Sequence, residues 1–261
     1  TGHMTLGDAA LGGTLVLAGN ATLGGNRTLN IDSDVVLGGT VSGVSNALTK
    51  NGSGALTLSG SNTFNGGIVL NNGVLRLGHN NGLGVGNVTM GTGRISSDSG
   101  TARTAANGLI LSGTVGLGDV AYNGDLNFTG VAMLNSTTTM NIDSVVGLSG
   151  VVSGPGGLVK SGSSELTLSG WNSFTGETQV SLGTLTLSGG SALVNSMAVS
   201  VGSLGVLKLA SSEEVASLAG FGQVNLQGNT LTLGGASATT YAGVLSGSGR
   251  LARKGDGVLT L

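Results

Sequence analysis

A 31-residue stretch, LTKNGSGALTLSGSNTFNGGIVLNNGVLRLG from Leu48 to Gly78, returns without a gap as LVKSGSSELTLSGWNSFTGETQVSLGTLTLS from Leu158 to Ser188, with 15 of the 31 positions identical. Its opening appears a third time as LARKGDGVLTL at 251–261. The shared frame is L-x-[KR]-x-G-x-[GS]-x-L-T-L, followed in the two full copies by S-G-x-N-x-F-x-G and G-x-L-x-L. A long-range repeat with leucines two apart describes stacked β-structure rather than a catalytic centre.

The repeat extends beyond that stretch. LGDAALGGTLVLAG at 6–19 matches LGDVAYNGDLNFTG at 117–130, and NIDSDVVLGGTVSG at 30–43 matches NIDSVVGLSGVVSG at 141–154, both at an offset of 111 residues. One residue is lost after Gly154, so the 31-residue stretch repeats at 110. Thr1–Met4 reads as a cloning remnant, and residues 5–261 read as one domain built from units 5–114, 115–203 and a degenerate, truncated 204–261.

Inside each unit apolar residues alternate with small polar ones, as in Leu15/Leu17, Leu56/Leu58, Leu75/Leu77, Leu109/Leu111, Leu126/Phe128, Leu166/Leu168, Leu185/Leu187, Leu207/Leu209 and Leu231/Leu233. Period two places each apolar pair inward and the intervening residue, often Thr, toward water. The strands are short and bounded by Gly, Asn, Asp or Ser, which leaves no room for helices beyond a short turn at Ser211–Ala219. Gly is 52 of 261 residues and charged residues only 8%, against roughly 7% Gly and 25% charged in ordinary domains. One proline and no G-X-Y period exclude collagen, and regularly spaced Leu and Val exclude disorder.

Sandwich, barrel and parallel solenoid all use short strands. Asn51-Gly52, Asn81-Gly82 and Asn123-Gly124 are hairpin-type dipeptides, but the strands do not pair off around them. The duplicated unit and the i, i+2 aliphatics favour a parallel β-solenoid with Leu/Val core columns. Turns of ~20–25 residues give roughly ten to thirteen coils. At ~4.8 Å per coil that is a rod about 50–60 Å long.

The frame G-x-G-x-L-T-L-S-G-x-N-x-F-x-G followed by G-x-L-x-L-G, on the 48–78 and 158–188 segments, closely resembles the autotransporter-associated β-strand repeat of type V secreted bacterial passenger domains. The resemblance covers about two thirds of the chain. It departs where Gly66-Gly67 becomes Gly176-Glu177 and in the degenerate third unit. It implies a right-handed parallel β-helix at the bacterial cell surface, tethered to the outer membrane through a C-terminal barrel that is not in this sequence, or released. It also implies an adhesive or self-associating surface (adhesion, autoaggregation, biofilm), with a toxin-like receptor-binding scaffold as the alternative and a polysaccharide-active enzyme third. The partners it implies are cell-surface glycans or proteins, or a neighbouring copy of the chain.

The side chains that could carry chemistry are few. Ten basic and twelve acidic residues form no basic run, so nucleic-acid binding has no electrostatic footprint. There is no cysteine and no run of 18 apolar residues, so neither a disulfide nor a membrane-inserting helix is expected from this fragment. Asp32 and Asp34 form an acidic pair, but Asp143 repeats only Asp32 while Val145 replaces Asp34, so a turn or cap role is preferred to calcium or acid–base work. Glu213-Glu214 reads as a solvated turn, and Gly255-Asp256-Gly257 touches the calcium nonapeptide pattern at one point only. Lys50, Lys160 and Arg253 share a frame position and are expected to solvate turns. Asn62/Asn172 with Phe64/Phe174 are expected to stack on adjacent coils, and Trp171, where the first copy has Ser61, to be an exposed turn aromatic. His79 is the one imidazole outside the remnant, and no nucleophile-elbow motif accompanies it. The reading is therefore non-enzymatic, with no catalytic residue, cofactor or metal.

Overall fold

The computed structural model describes residues 2–8, 10, 12–193 and 197–261; Thr1 of the expected remnant lies outside them. Among the described residues every regular element is a β-strand, of two to twelve residues, and none is helical. The parallel strands form a β-solenoid of about 12 turns. The chain divides into two compact units, Thr1–Gly130 with Asp143–Val145, and Val131–Ile142 with Val146–Leu261.

In the first unit Leu29, Lys50, Leu70, Met90 and Leu111 face one another in succession across parallel ladders, at spacings of 20 or 21 residues. Val35, Leu56, Leu75 and Ile95 make a second column on the adjoining face. The Asn-Gly dipeptides make no hairpins. Asn51-Gly52 turns a corner between Leu48–Asn51 and Ala55–Leu58, and Gly82 closes a turn by donating to His79 O at 2.9 Å.

The second unit stacks Leu158–Ser161, Thr178–Val180 and Val199–Val201 on one face. Leu166, Leu185, Leu207, Val224 and Leu245 form a column on the next. A third face carries Glu213–Val215, Thr230–Leu233 and Arg250–Arg253. The segment read as a possible turn, Ser211–Ala219, holds the strands Glu213–Val215 and most of Ser217–Gly220.

Eight of the nine alternating pairs from the sequence point inward and are buried. Each fully buried Leu contributes about 1.5–3 kcal/mol, so these columns are the main driving force. Leu15 and Leu17 are the exception and remain partly exposed. Their strand pairs, among the described residues, only with Val35–Leu37. The threonines between the leucines do not all meet water. Thr57 and Thr186 are buried, Thr186 donating to Glu165 Oε1 at 2.6 Å. Long side chains on neighbouring turns roof them over: Arg76 stands beside Thr57 and Lys208 beside Thr186.

Close stacking explains the frame glycine. Gly52 has φ +79°, and a Cβ there would strike the Ile31 backbone of the preceding turn, 2.7 Å from C and 2.8 Å from N. Gly19, by contrast, has open space around the same position. Gly52→Ala is expected to lower the unfolding free energy by at least about 1–3 kcal/mol, and Gly19→Ala to change it by less than about 0.5 kcal/mol. Urea titration of the two variants checks this, and equal effects would contradict the stacking geometry.

Candidate functional site

A solenoid turns sharp corners between its faces, and corner carbonyls point where no strand can pair them. Buried carbonyls need donors. Lys50 and Lys160 supply them, contrary to the expectation that they solvate turns: both are fully buried within their columns. Lys50 Nζ donates to Asn51 O at 3.2 Å, Gly52 O at 2.9 Å and Asn72 O at 3.0 Å. Lys160 Nζ donates to Ser161 O at 3.0 Å, Gly162 O at 2.8 Å and Leu182 O at 2.8 Å. Three N–H bonds thus meet three carbonyls, two on the lysine's own corner and one on the following turn. Gly73 lies against Lys50 and Gly183 against Lys160, where a Cβ would come within 2.6 and 2.8 Å of the respective Nζ. The G of the repeat's G-x-L-x-L segment therefore leaves room for the ammonium of the turn before.

Arg253 does not share this place. Lys160 sits on the face of Thr178–Val180 and Val199–Val201, whereas Arg253 pairs with Leu233 on the third face and is exposed. The third recurrence of the frame is thus one face out of step with the second. Arg253 Nη2 still donates to the carbonyl two residues on, Gly255 O at 2.9 Å.

Where the ladder of Lys160, Val180, Val201 and Gly220 continues, it reaches Tyr241. This ring is buried, and its hydroxyl donates to one of two nearby carbonyls, Gly222 O at 2.8 Å or Val244 O at 3.2 Å. In the first unit Asn107 Nδ2 does similar work toward Gly84 O at 3.1 Å and Gly86 O at 2.7 Å. Neither residue carries a sequence signal for this role, because each serves one corner only.

The frame asparagines are bridges between turns. Asn62 Oδ1 accepts from Val41 N at 2.7 Å, and its Nδ2 donates to Gly82 O at 2.6 Å. Asn172 repeats this with Val152 N at 2.7 Å and Ala192 O at 2.8 Å. Both amides are buried, as are Phe64 and Phe174 two residues later. Glu213 is also buried, which corrects the solvated-turn reading. Its carboxylate accepts from Leu193 N at 3.0 Å and Ala192 N at 3.2 Å. Burial pushes its pKa up, and the two N–H bonds oppose the shift. Glu214 pairs with Lys254 at 3.1 Å on the surface.

Of the acidic residues singled out from the sequence, Asp34 and Asp143 join Glu214 in ion pairs. Asp34 meets Arg76 at 2.8 Å and accepts from Ala55 N at 3.1 Å. The Arg76 hydrogen bond holds its pKa below the usual carboxylate value, against the effect of burial. The Arg76 guanidinium also lies 4.1 Å from the centre of the Tyr122 ring. Asp119 positions that ring by accepting from the N–H groups of Ala121 at 2.8 Å and Tyr122 at 3.2 Å. Asp143, the counterpart of Asp32, meets Arg94 at 2.6 Å. His79 Nδ1 accepts from Asn81 N at 3.0 Å and closes a turn. Among the described residues no three His, Cys, Asp or Glu side chains gather as a metal site would require.

The two copies diverge on the outside of one corner. In the first unit successive turns present Asn20, Thr40, Ser61 and Asn81; Asn20 Oδ1 accepts from Thr40 N at 2.9 Å and Asn81 Nδ2 donates to Ser61 Oγ at 3.2 Å. The second unit has Val131, Val151 and Trp171, all exposed, in place of Asn20, Thr40 and Ser61, and Ser191 in place of Asn81. Trp171 is the exposed aromatic expected from the sequence.

The Passenger-associated-transport-repeat family matches residues 48–77 and 158–187, the two segments whose lysine and asparagine geometry is described above. The chain is also 39% identical over 206 residues to the Adhesin BmaC autotransporter of Brucella suis biovar 1 (strain 1330). The chain carries the repeats of an autotransporter passenger. The alignment spans 76% of this chain and 6% of that adhesin, so the passenger segment corresponds to a small part of its relative's length. No solved structure matches it.

Within the passenger segment, Lys50 and Asn62 make separate, testable contributions. Lys50→Met keeps the shape and leaves three carbonyls without their donor, but it also removes the desolvated charge, so the expected net cost is about 1–3 kcal/mol. Asn62→Ala leaves Val41 N–H and Gly82 C=O unpaired and is expected to cost about 2–4 kcal/mol. Urea midpoints check both, and unchanged midpoints would contradict the bridging roles.

Burial lowers the Lys50 pKa from 10.5 to about 8, with Asp32 and Asp34 opposing the shift. Between these values the unfolded chain holds a proton that the folded chain has released, so stability rises with pH across that window and the gain is lost as pH falls through about 8. The slope is at most about 1.4 kcal/mol per pH unit. Urea midpoints across the window are expected to rise in the parent chain relative to Lys50→Met. Parallel trends would contradict the assignment.

Proposed function

We propose that this chain is a β-solenoid segment of an adhesive autotransporter passenger, serving both as stalk and as adhesive surface. The supporting observation is that Lys50, Lys160, Asn62, Asn172 and Glu213 are spent inside the fold, capping corners and bridging turns. The exterior carries small polar and apolar residues with scattered charges such as Arg253 and the Glu214–Lys254 pair. The similarity to a protein named an adhesin supports the same reading. Passenger repeats go with a surface-exposed or secreted location, and we place the complete protein at the outer membrane, anchored by a barrel beyond this segment. Side chains repeated along a solenoid offer many weak contacts, each small and strong only in sum. Surface glycans or proteins, or a neighbouring copy, are the partners such a face would engage.

Residue spacing also supports sequential folding. The contacts of Asn62, Asn172, Lys50 and Lys160 need the following turn in place, and the parallel ladders pair each coil with the one before, so each coil templates the next. Non-clumping cells displaying the full passenger are expected to settle and attach to surfaces. Deletion of residues 5–188 is expected to reduce both several-fold while display level is unchanged. Undiminished settling and attachment would contradict the proposal.

A further inference from the structure

An asparagine followed by glycine exposes its side-chain amide to attack by its own backbone, because no side chain shields the glycine nitrogen. Six such pairs occur, beginning at Asn51, Asn65, Asn72, Asn81, Asn107 and Asn123, all in the first unit. Reaction needs an unpinned amide, an uncommitted glycine N–H and the two held in contact.

Five of the six pairs lack one of these. The Asn51 amide is pinned at both ends, accepting from Asn71 Nδ2 at 2.8 Å and donating to Asn30 Oδ1 at 3.2 Å. Asn107 is buried, with its Nδ2 on the carbonyls of Gly84 and Gly86. After Asn65, Asn81 and Asn123 the glycine N–H is committed elsewhere: Gly66 to Asn46 O at 3.2 Å, Gly82 to His79 O at 2.9 Å and Gly124 to Ser99 O at 2.9 Å.

Asn72 meets all three conditions. Its side chain is exposed, and Gly73 N donates to its Oδ1 at 2.7 Å. Cγ lies one C=O bond of about 1.23 Å from that oxygen, so the nitrogen and Cγ are at most about 3.9 Å apart. The carbonyl of the same peptide link, Asn72 O, accepts from the buried Lys50 ammonium at 3.0 Å. A cation on that oxygen stabilises the anion left when Gly73 N–H loses its proton. In the second unit Leu182-Gly183 has the same cap, from Lys160 at 2.8 Å, but no amide to react.

We propose that Asn72 is a self-modification site, where the Asn72-Gly73 link rearranges through a succinimide to isoaspartate with Lys50 assisting. Hydroxide takes the Gly73 N–H proton, and the nitrogen forms a bond to Asn72 Cγ. The Cγ–Nδ2 bond breaks, and ammonia leaves after taking a proton from water, which returns the hydroxide. Water then adds to the former main-chain carbonyl carbon of Asn72. The bond from that carbon to Gly73 N breaks, and the carbon is left as a carboxylate. The chain now runs through Cγ, one atom longer. Lys50 acts on the amide anion in the first stage and on the tetrahedral oxyanion in the second, which directs hydrolysis toward isoaspartate. All three of its hydrogen bonds in the unmodified protein go to neutral carbonyls, so the new carboxylate gives a buried cation its counter-charge. The reaction places a negative charge on an exposed corner and is independent of the adhesive reading.

The chain is incubated folded and in concentrated urea at neutral pH, below the Lys50 pKa of about 8. Peptide mapping by mass spectrometry follows conversion at all six asparagines, and isoaspartyl methyltransferase labelling separates isoaspartate from aspartate. In the folded chain Asn72 is expected to convert at least about tenfold faster than any of the other five, and in urea the six rates are expected to converge. The isoaspartate-to-aspartate ratio at Asn72 is expected to be at least about threefold higher folded than in urea. Lys50→Met, with unchanged far-UV circular dichroism, is expected to slow Asn72 several-fold and return that ratio to its urea value. No preference for Asn72 in the folded parent, equal ratios folded and in urea, or undiminished conversion in folded Lys50→Met would overturn the proposal. Should Lys50→Met fail to fold, the two comparisons within the parent chain decide the matter.

Discussion

A parallel solenoid depends on donors for the carbonyls at its corners. Strand ladders pair the backbone along each face, but the chain must leave one face for the next every few residues, and some of the freed carbonyls point inward. Leaving one unpaired in a dry interior costs about 1–3 kcal/mol, comparable to what a buried leucine contributes. This passenger meets the need with long side chains reaching outward from the core: Lys50 and Asn107 in the first unit, Lys160 and Tyr241 in the second. The lysines join two carbonyls of their own corner to one on the following turn, so they also fix the register of the next coil.

The cost of this arrangement falls on the ammonium. Desolvation weakens its hold on the proton, as the lowered Lys50 pKa records, and three carbonyl oxygens offset part of that loss. The asparagines avoid the charge altogether, one amide serving an N–H on one side and a C=O on the other. Both devices lie within the segments that define the passenger repeat. The repeat is thus recognisable largely because its polar residues are internal and geometrically demanding, while its exterior is free to diverge, as from Ser61 to Trp171.

The fold was legible in the sequence because period two and a repeat at 110–111 residues leave few alternatives to parallel stacking. The polar interior was not. A lysine between Leu48 and Gly52 reads as solvent-facing when charge alone is considered, yet period two from Leu48 already points Lys50 inward; the unpaired corner carbonyls are the missing part of that argument. Glu213 misled for the same reason, since backbone N–H donors are invisible in a list of side chains. Arg253 shares letters with Lys160 but not a face, because recurrence of a motif does not fix the phase of the coil that carries it. Tyr122 and Tyr241 had no repeat partner to mark them.

The central claim is that residues about 20 positions apart stand side by side in parallel. The chain contains no cysteine, so spin labels can be placed at will. Labels at Thr49 and Val69, which are ladder partners, and at Thr49 and Thr89, two turns apart, test it by dipolar coupling. The backbone separations predicted are about 5 Å for the first pair and about 10 Å for the second. Couplings that place Thr49 closer to Thr89 than to Val69, or both pairs beyond reach, would contradict the stacked register.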